Sequence, residues 1–91
     1  MNKTFQIYNA NSIMLMLMTR NDINHITMSK GQLEISIIIF LDYLSPKAFE
    51  LSNELTNGDI KDFDVEIQDH KNVYNDDPFT IVKLTWNLPS E

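Results

Sequence analysis

Cysteine is absent from this chain and glycine occurs only twice, at Gly31 and Gly58. Without cysteine there is no disulfide scaffold, thiolate metal site or cysteine nucleophile, and a cytoplasmic location is favoured. Neither glycine has the flanking pattern of a P-loop or a dinucleotide fingerprint, which argues against nucleotide-dependent chemistry. Only seven basic residues stand against 13 acidic ones, so direct nucleic-acid binding is also disfavoured.

Long apolar runs are absent as well. The longest, residues 13–18 and 37–41, fall well below the roughly 20 residues that span a bilayer, and the N-terminus lacks the apolar core of a signal peptide. With 43% hydrophobic and 22% charged residues, the 91-residue chain has the composition of a globular protein. We therefore expect one soluble domain over residues 1–91, with no membrane span.

The acidic residues are concentrated in the second half of the chain. Residues 1–45 carry three basic and three acidic side chains, whereas residues 50–77 carry nine acids and two lysines, a net charge of 2 − 9 = −7. The nine acids are Glu50, Glu54, Asp59, Asp62, Asp64, Glu66, Asp69, Asp76 and Asp77. The spacing of Asp62, Asp64 and Glu66 predicts a row of carboxylates about 6.8 Å apart on one face of a strand.

Two interpretations of these nine acids remain open. They are candidates for a partner-binding surface that attracts a basic protein and makes the encounter faster and sensitive to salt. The alternative is that they form the solvated face that every amphipathic strand needs, and only keep a small protein soluble.

Hydrophobic alternation predicts strands in the first half. Phe5 and Ile7 alternate with polar neighbours, and residues 13–19 are apolar on both faces, which fits a central strand or, alternatively, a buried helix. Residues 26–28 and 33–43 are typical of a hairpin, and the second arm repeats an apolar residue at every other position.

One amphipathic helix follows this hairpin. Ser45 and Pro46 are favoured at a helix start, and Asn57 and Gly58 tolerate the left-handed conformation that ends many helices. Its apolar stripe consists of Ala48, Leu51 and Leu55. Residues 63–67 and 82–88 then alternate as two further strands. The prediction is an α+β fold: a small antiparallel sheet of about five to six strands, with one short helix packed on one face, in the order strands, helix, two strands.

Apolar side chains on both sides of two predicted strands indicate a second candidate surface. Its members are Met14, Met16, Met18, Ile38 and Phe40. They either belong to the core or form an oligomer interface, which makes a homodimer an alternative arrangement. Trp86 is favoured as a core residue, while Tyr74 lies in a loop that could present it to a partner.

Catalytic and metal sites are not indicated. His25 and His70 are 45 positions apart and lack zinc spacing, and the acids between positions 59 and 69 lack the central glycine of a calcium loop. We therefore expect no catalytic residue, metal or cofactor, and keep a small hydrolase built on Asp69 and His70 as a minor alternative.

The sequence thus predicts a small acidic protein-binding module and not an enzyme. Small size, acidity and missing catalytic motifs are shared by phage-encoded inhibitors of host defence, by immunity proteins and by antitoxins, which bind and block another protein. Ten Asn and 11 Ile residues are typical of AT-rich coding and indicate a low-GC bacterium or its phage. The expected partner has a basic surface, which could be that of a nucleic-acid-handling protein; a structural or oligomeric subunit is the alternative.

Overall fold

The computed structural model describes residues 3–43, 46–58, 60 and 62–89. Two helices and four strands follow one another along the chain: α1 Lys3–Met18, β1 His25–Lys30, β2 Glu34–Asp42, α2 Pro46–Thr56, β3 Asp64–Lys71 and β4 Pro78–Asn87. The α+β class is therefore confirmed. The predicted count of five to six strands with a single helix was wrong, since the described residues contain four strands and two helices.

The difference lies in residues 3–18, which form α1 and not one or two strands. Its buried side chains, Gln6, Asn9, Ala10, Ile13 and Leu17, recur at the three- and four-residue spacing of a helix. Leu and Met are good helix formers, and this preference prevailed over the apparent alternation of Phe5 and Ile7. The helix ends where Thr19 Oγ1 and the backbone N–H of Thr19 both donate to the Met16 carbonyl, at 2.7 and 3.3 Å.

The four strands form one antiparallel sheet in the order β1-β2-β4-β3. The long strand β2 lies between β1 and β4, so that Ile37 pairs with Met28 on one side and Leu84 on the other. The predicted hairpin of residues 26–28 and 33–43 corresponds to β1 and β2, and the two predicted late strands correspond to β3 and β4.

Both helices pack on the same face of this sheet. α1 contacts β2 and β4, whereas α2 contacts β4 and β3. The strand residues on this face are almost completely buried: Ile35, Ile37, Ile39, Leu41, Val82, Leu84 and Trp86. The core lies between this face and the buried stripes of the two helices, and it contains Trp86 as predicted.

Helix α2 is the helix that the sequence predicted. Its buried residues are Ala48, Leu51 and Leu55. The predicted cap residue Ser45 lies outside the described residues. The prediction of a left-handed helix end was wrong, because neither Asn57 nor Gly58 has a positive φ. The Gly58 N–H instead donates to the Leu55 carbonyl at 3.3 Å. Among the described residues, neither helix has the length and apolar character needed to cross a membrane.

Candidate partner-binding surface

The sheet has one face that neither described helix covers, which we call the open face. It is formed by the strand residues that alternate with the buried ones. Their side chains are exposed or half-buried, except for Ser36, which is buried. Cross-strand register places Thr27, Ile38, Lys83 and Glu66 in one row across all four strands. Because directly paired residues point to the same side of a sheet, these rows define the surface.

Four aromatic rings cross the open face from one edge strand to the other. His25 on β1 lies 5.4 Å from Phe40 on β2, measured between ring centroids. Phe40 lies 5.7 Å from Phe79 on β4, and Phe79 lies 5.8 Å from His70 on β3, where the two rings are stacked. The two phenylalanines are half-buried and the two histidines are exposed. The row therefore has an apolar centre and polar ends.

Carboxylates lie on the same face as this aromatic row. The open face carries four acids, Glu34, Asp42, Asp64 and Glu66, which are all exposed. Lys83 is its single lysine and lies opposite Glu66 in the register of β3 and β4. With both histidines neutral, one lysine minus four acids gives the open face a net charge of −3.

The predicted carboxylate row is shorter than the sequence indicated. Asp64 and Glu66 do share the open face, but Asp62 lies before β3 and has a φ of 66°, in the left-handed region. Its side chain therefore does not continue the two-residue repeat of the strand. Glu34 and Asp42, from the other half of the chain, are the other two acids of the open face, and they were absent from the predicted set.

The remaining predicted acids are spread over other parts of the molecule. Glu50 and Glu54 lie on α2, on the side of the sheet opposite the open face. Asp69 alternates with the open-face residues, and Asp76 and Asp77 belong to the loop between β3 and β4. Asp59 lies outside the described residues. The nine acids of the second half are thus not brought together on one face.

Glu54 takes part in an ion-pair network that joins the end of α1 to α2. Arg20 donates to both carboxylate oxygens of Asp22, at 2.9 and 2.8 Å, and to Glu54 Oε2 at 2.6 Å. The hydrogen bonds from Arg20 lower the pKa of Asp22, and those to Asp22 and then Glu54 raise the pKa of Arg20. Arg20 and Glu54 line a cleft of about 370 Å³ between the two helices. The network contains one cation and two carboxylates, a net charge of 1 − 2 = −1.

The loop between β3 and β4 has a defined shape. Asn72 Oδ1 accepts a hydrogen bond from the Tyr74 N–H at 2.9 Å, and Asn75 Oδ1 accepts one from the Asp77 N–H at 3.0 Å. Such side-chain turns hold a loop without a core of its own. The tip presents Val73 and Tyr74, which are 88% and 95% exposed. Tyr74 is therefore available to a partner, at the end of the sheet next to His70 and Phe79.

The structure does not assemble the Asp69 and His70 pair that a hydrolase would need. These neighbours on β3 point to opposite faces of the sheet. Asp69 Oδ1 accepts a hydrogen bond from Thr80 Oγ1 at 3.1 Å, whereas His70 Nε2 lies 2.7 Å from Gln68 Oε1. Within the described ranges, no group of three or more His, Asp or Glu side chains could hold a metal ion.

The predicted apolar surface is divided between two places. Ile38 and Phe40 lie on the open face, half-buried. Met14, Met16 and Met18 lie on α1 and do not share one side, because residues two apart on a helix are about 200° apart. Met14 packs against the core, while Met16 and Met18 are 50% and 61% exposed.

Comparison with protein-family models, curated proteins and solved structures found no match to this chain.

Proposed function

We propose that this protein binds a basic surface of another protein through the open face of its sheet, and that it acts in the cytoplasm by blocking that partner. The observation that carries the proposal is the aromatic row from His25 to His70, on a face that also carries four carboxylates and a single lysine. Protein interfaces commonly have an apolar, aromatic centre and a polar rim.

The centre of the open face supports binding because its apolar groups lie in one continuous area. Ile38, Phe40, Phe79 and Ile81 are neighbours in the register of β2 and β4, and each retains part of its surface toward solvent. Contiguous exposed apolar area of this kind marks interaction sites more often than scattered single residues do. A partner would remove this area from water and gain its hydrophobic contribution.

The charge of the open face supports a basic partner in particular. With a net charge of −3, the open face attracts cationic side chains and repels acidic ones, which provides both steering and selectivity. The proposal keeps the basic partner expected from the sequence and changes the surface, since Glu50, Glu54 and the loop acids lie elsewhere.

The test compares two charge-reversed variants in an affinity capture from bacterial lysate. The open-face variant is Asp64→Lys/Glu66→Lys, and the matched control is Glu50→Lys/Asp77→Lys, in which both positions are exposed and lie off the open face. Each Asp or Glu to Lys change adds two charges, so both variants move the net charge from −6 to −2. Circular dichroism verifies that both keep their secondary structure.

We expect wild type and the control to retain the same basic proteins, and the open-face variant to lose them. Retention by wild type should also fall as salt is raised, because exposed charges are screened beyond about 10 Å at 0.1 M ionic strength. If both variants lost the captured proteins equally, net charge alone would explain the capture. Unchanged capture by the open-face variant would show that the partner contacts another surface.

A further inference from the structure

We infer that α1 is the contact between two copies of this chain, packed antiparallel about a twofold axis between residues 11 and 12. This inference concerns the opposite side of the molecule from the open face and does not depend on the proposed function. It rests on the exposed side of α1, on the absence of charge from that side, and on the way its side chains match when the helix is reversed.

The exposed side of α1 is as apolar as its buried side. Five large apolar side chains face solvent there: Phe5 at 48%, Tyr8 at 67%, Leu15 at 67%, Met16 at 50% and Met18 at 61% exposure. A helix on the surface of a globular protein normally has polar residues on its outer side, and one that is apolar all round is normally buried. The outer side of α1 is therefore suited to being covered.

Charge selects a second copy as the occupant. Residues 4–19 contain no Asp, Glu, Lys or Arg, although the chain as a whole carries −6. Two copies of an acidic protein repel each other across most contacts, but this uncharged helix side can meet itself with little electrostatic cost. An anionic membrane surface fits less well, because helices that lie on such membranes carry Lys and Arg beside their apolar side.

The available area is compatible with a stable dimer. Side chains of this size have about 150–250 Å² of accessible surface, so the five expose about 500 Å² together. A standard protein interface takes about 800 Å² from each partner. The five side chains thus provide more than half of the required area, and the small polar residues between them add to it.

Reversal of the helix brings complementary side chains together. Exposed positions 4, 8, 11, 15 and 18 follow the alternating four- and three-residue steps of a coiled-coil seam. With the axis between 11 and 12, positions whose numbers add to 23 face each other. Tyr8 then meets Leu15 of the second copy, and Thr4 lies close to Met18 toward each end of the contact. The Asn11 side chains of the two copies lie beside each other at the axis.

The first experiment measures mass by sedimentation equilibrium. We expect wild type to have twice the chain mass of 10.6 kDa at micromolar to hundreds of micromolar concentration. Leu15→Glu should return the mass to that of one chain, because it places two carboxylates in the contact. Val73→Glu is the matched control, since it introduces the same charge at an exposed apolar residue away from α1, and it should stay dimeric.

The second experiment tests the register, using the natural absence of cysteine. Asn11→Cys places two thiols next to the axis, where oxidation should link the copies. Tyr8→Cys places them seven residues apart along the helix, about 10.5 Å at 1.5 Å per residue, too far for a disulfide. Monomeric wild type, dimeric Leu15→Glu, or stronger cross-linking through Tyr8→Cys than through Asn11→Cys would overturn the inference.

Discussion

The assignment of faces in the central strand makes opposite predictions for two neighbouring isoleucines. Ile37 is fully buried against the helices and pairs with Met28 and Leu84, whereas Ile38 is half-buried on the open face and pairs with Thr27 and Lys83. We expect Ile37→Ala to destabilise the protein strongly, and Ile38→Ala to destabilise it only slightly although the two substitutions remove the same atoms.

The expected costs follow from burial. Ile to Ala removes three carbon atoms, and each buried CH₂ contributes about 0.8 kcal/mol, so the transfer cost for Ile37 is about 2.4 kcal/mol. The cavity that remains raises the cost to about 3–4 kcal/mol. At Ile38 water and mobile neighbours can occupy the space, and we expect about 1 kcal/mol or less. For a domain of this size 1 kcal/mol lowers Tm by about 5 °C, so the two variants should differ by about 10–15 °C.

Trp86 provides the assay, because it is the only tryptophan and is fully buried. Its fluorescence reports unfolding in denaturant, and all variants are compared at one protein concentration so that self-association affects them equally. Equal losses from the two substitutions, or a larger loss from Ile38→Ala, would refute the face assignment. Such a result would mean that the strand is shifted by one residue, which exchanges the two faces.

Two further predictions concern the polar groups of the helix side. Asp22→Asn should cost about 1 kcal/mol at pH 7, because it removes the carboxylate that Arg20 binds at two oxygens. The folded-state pKa of Asp22 is lowered, so its carboxylate contributes fully to stability above the unfolded pKa of about 3.9, and this contribution is lost as the pH falls through the folded pKa. Denaturant unfolding should therefore show a difference in the free energy of unfolding between wild type and Asp22→Asn at pH 7, and a smaller difference in acid, below about pH 3. Trp86→Phe should cost less than the roughly 3–5 kcal/mol of a large core truncation. The buried Trp86 Nε1 donates to none of the described residues, so the substitution also removes an unsatisfied hydrogen-bond donor. Thermal unfolding followed by circular dichroism measures the loss of stability.

The elements that could be predicted from the sequence carry their signal locally. In β2 the apolar residues Ile35, Ile37, Ile39 and Leu41 repeat every two positions, which predicts a strand. In α2 the stripe of Ala48, Leu51 and Leu55 is bordered by polar residues, so that the helical period is visible. Both elements appear in the structure close to their predicted bounds.

Helix α1 was not predicted as such: strand was favoured, and helix was kept as an alternative only from residue 13 onward, because the pattern does not indicate a period. Apolar residues occupy both its buried and its exposed side, so residues 13–18 fit a doubly buried strand as well as a helix. The pattern of apolar residues is weakened further because two polar residues, Gln6 and Asn9, lie on the side of α1 that faces the core. Residues 3–18 form a helix because of their helix propensity and because they pack on β2 and β4. This packing depends on the whole fold and cannot be read from the local sequence.

The open face could be predicted only in part, since it depends on contacts distant in sequence. The two-residue repeat indicated that Ile38 and Phe40 share a face, and likewise Asp64 and Glu66. That these four residues lie on the same surface follows from the pairing of β4 with both β2 and β3, across some 40 residues of chain. The left-handed conformation of Asp62, which removes it from the row, has no signature in the sequence.

The fold separates the two inferred contacts, because α1 packs on one side of the sheet and the open face lies on the other. A dimer through α1 would therefore present two open faces pointing outward, and binding at one site should not require the other. The Asp64→Lys/Glu66→Lys variant should remain dimeric, and Leu15→Glu should still retain the proteins that wild type retains. If Leu15→Glu lost them in solution, the partner would be contacting α1 itself, or a site that exists only in the dimer, and the open face would lose its support as the binding surface.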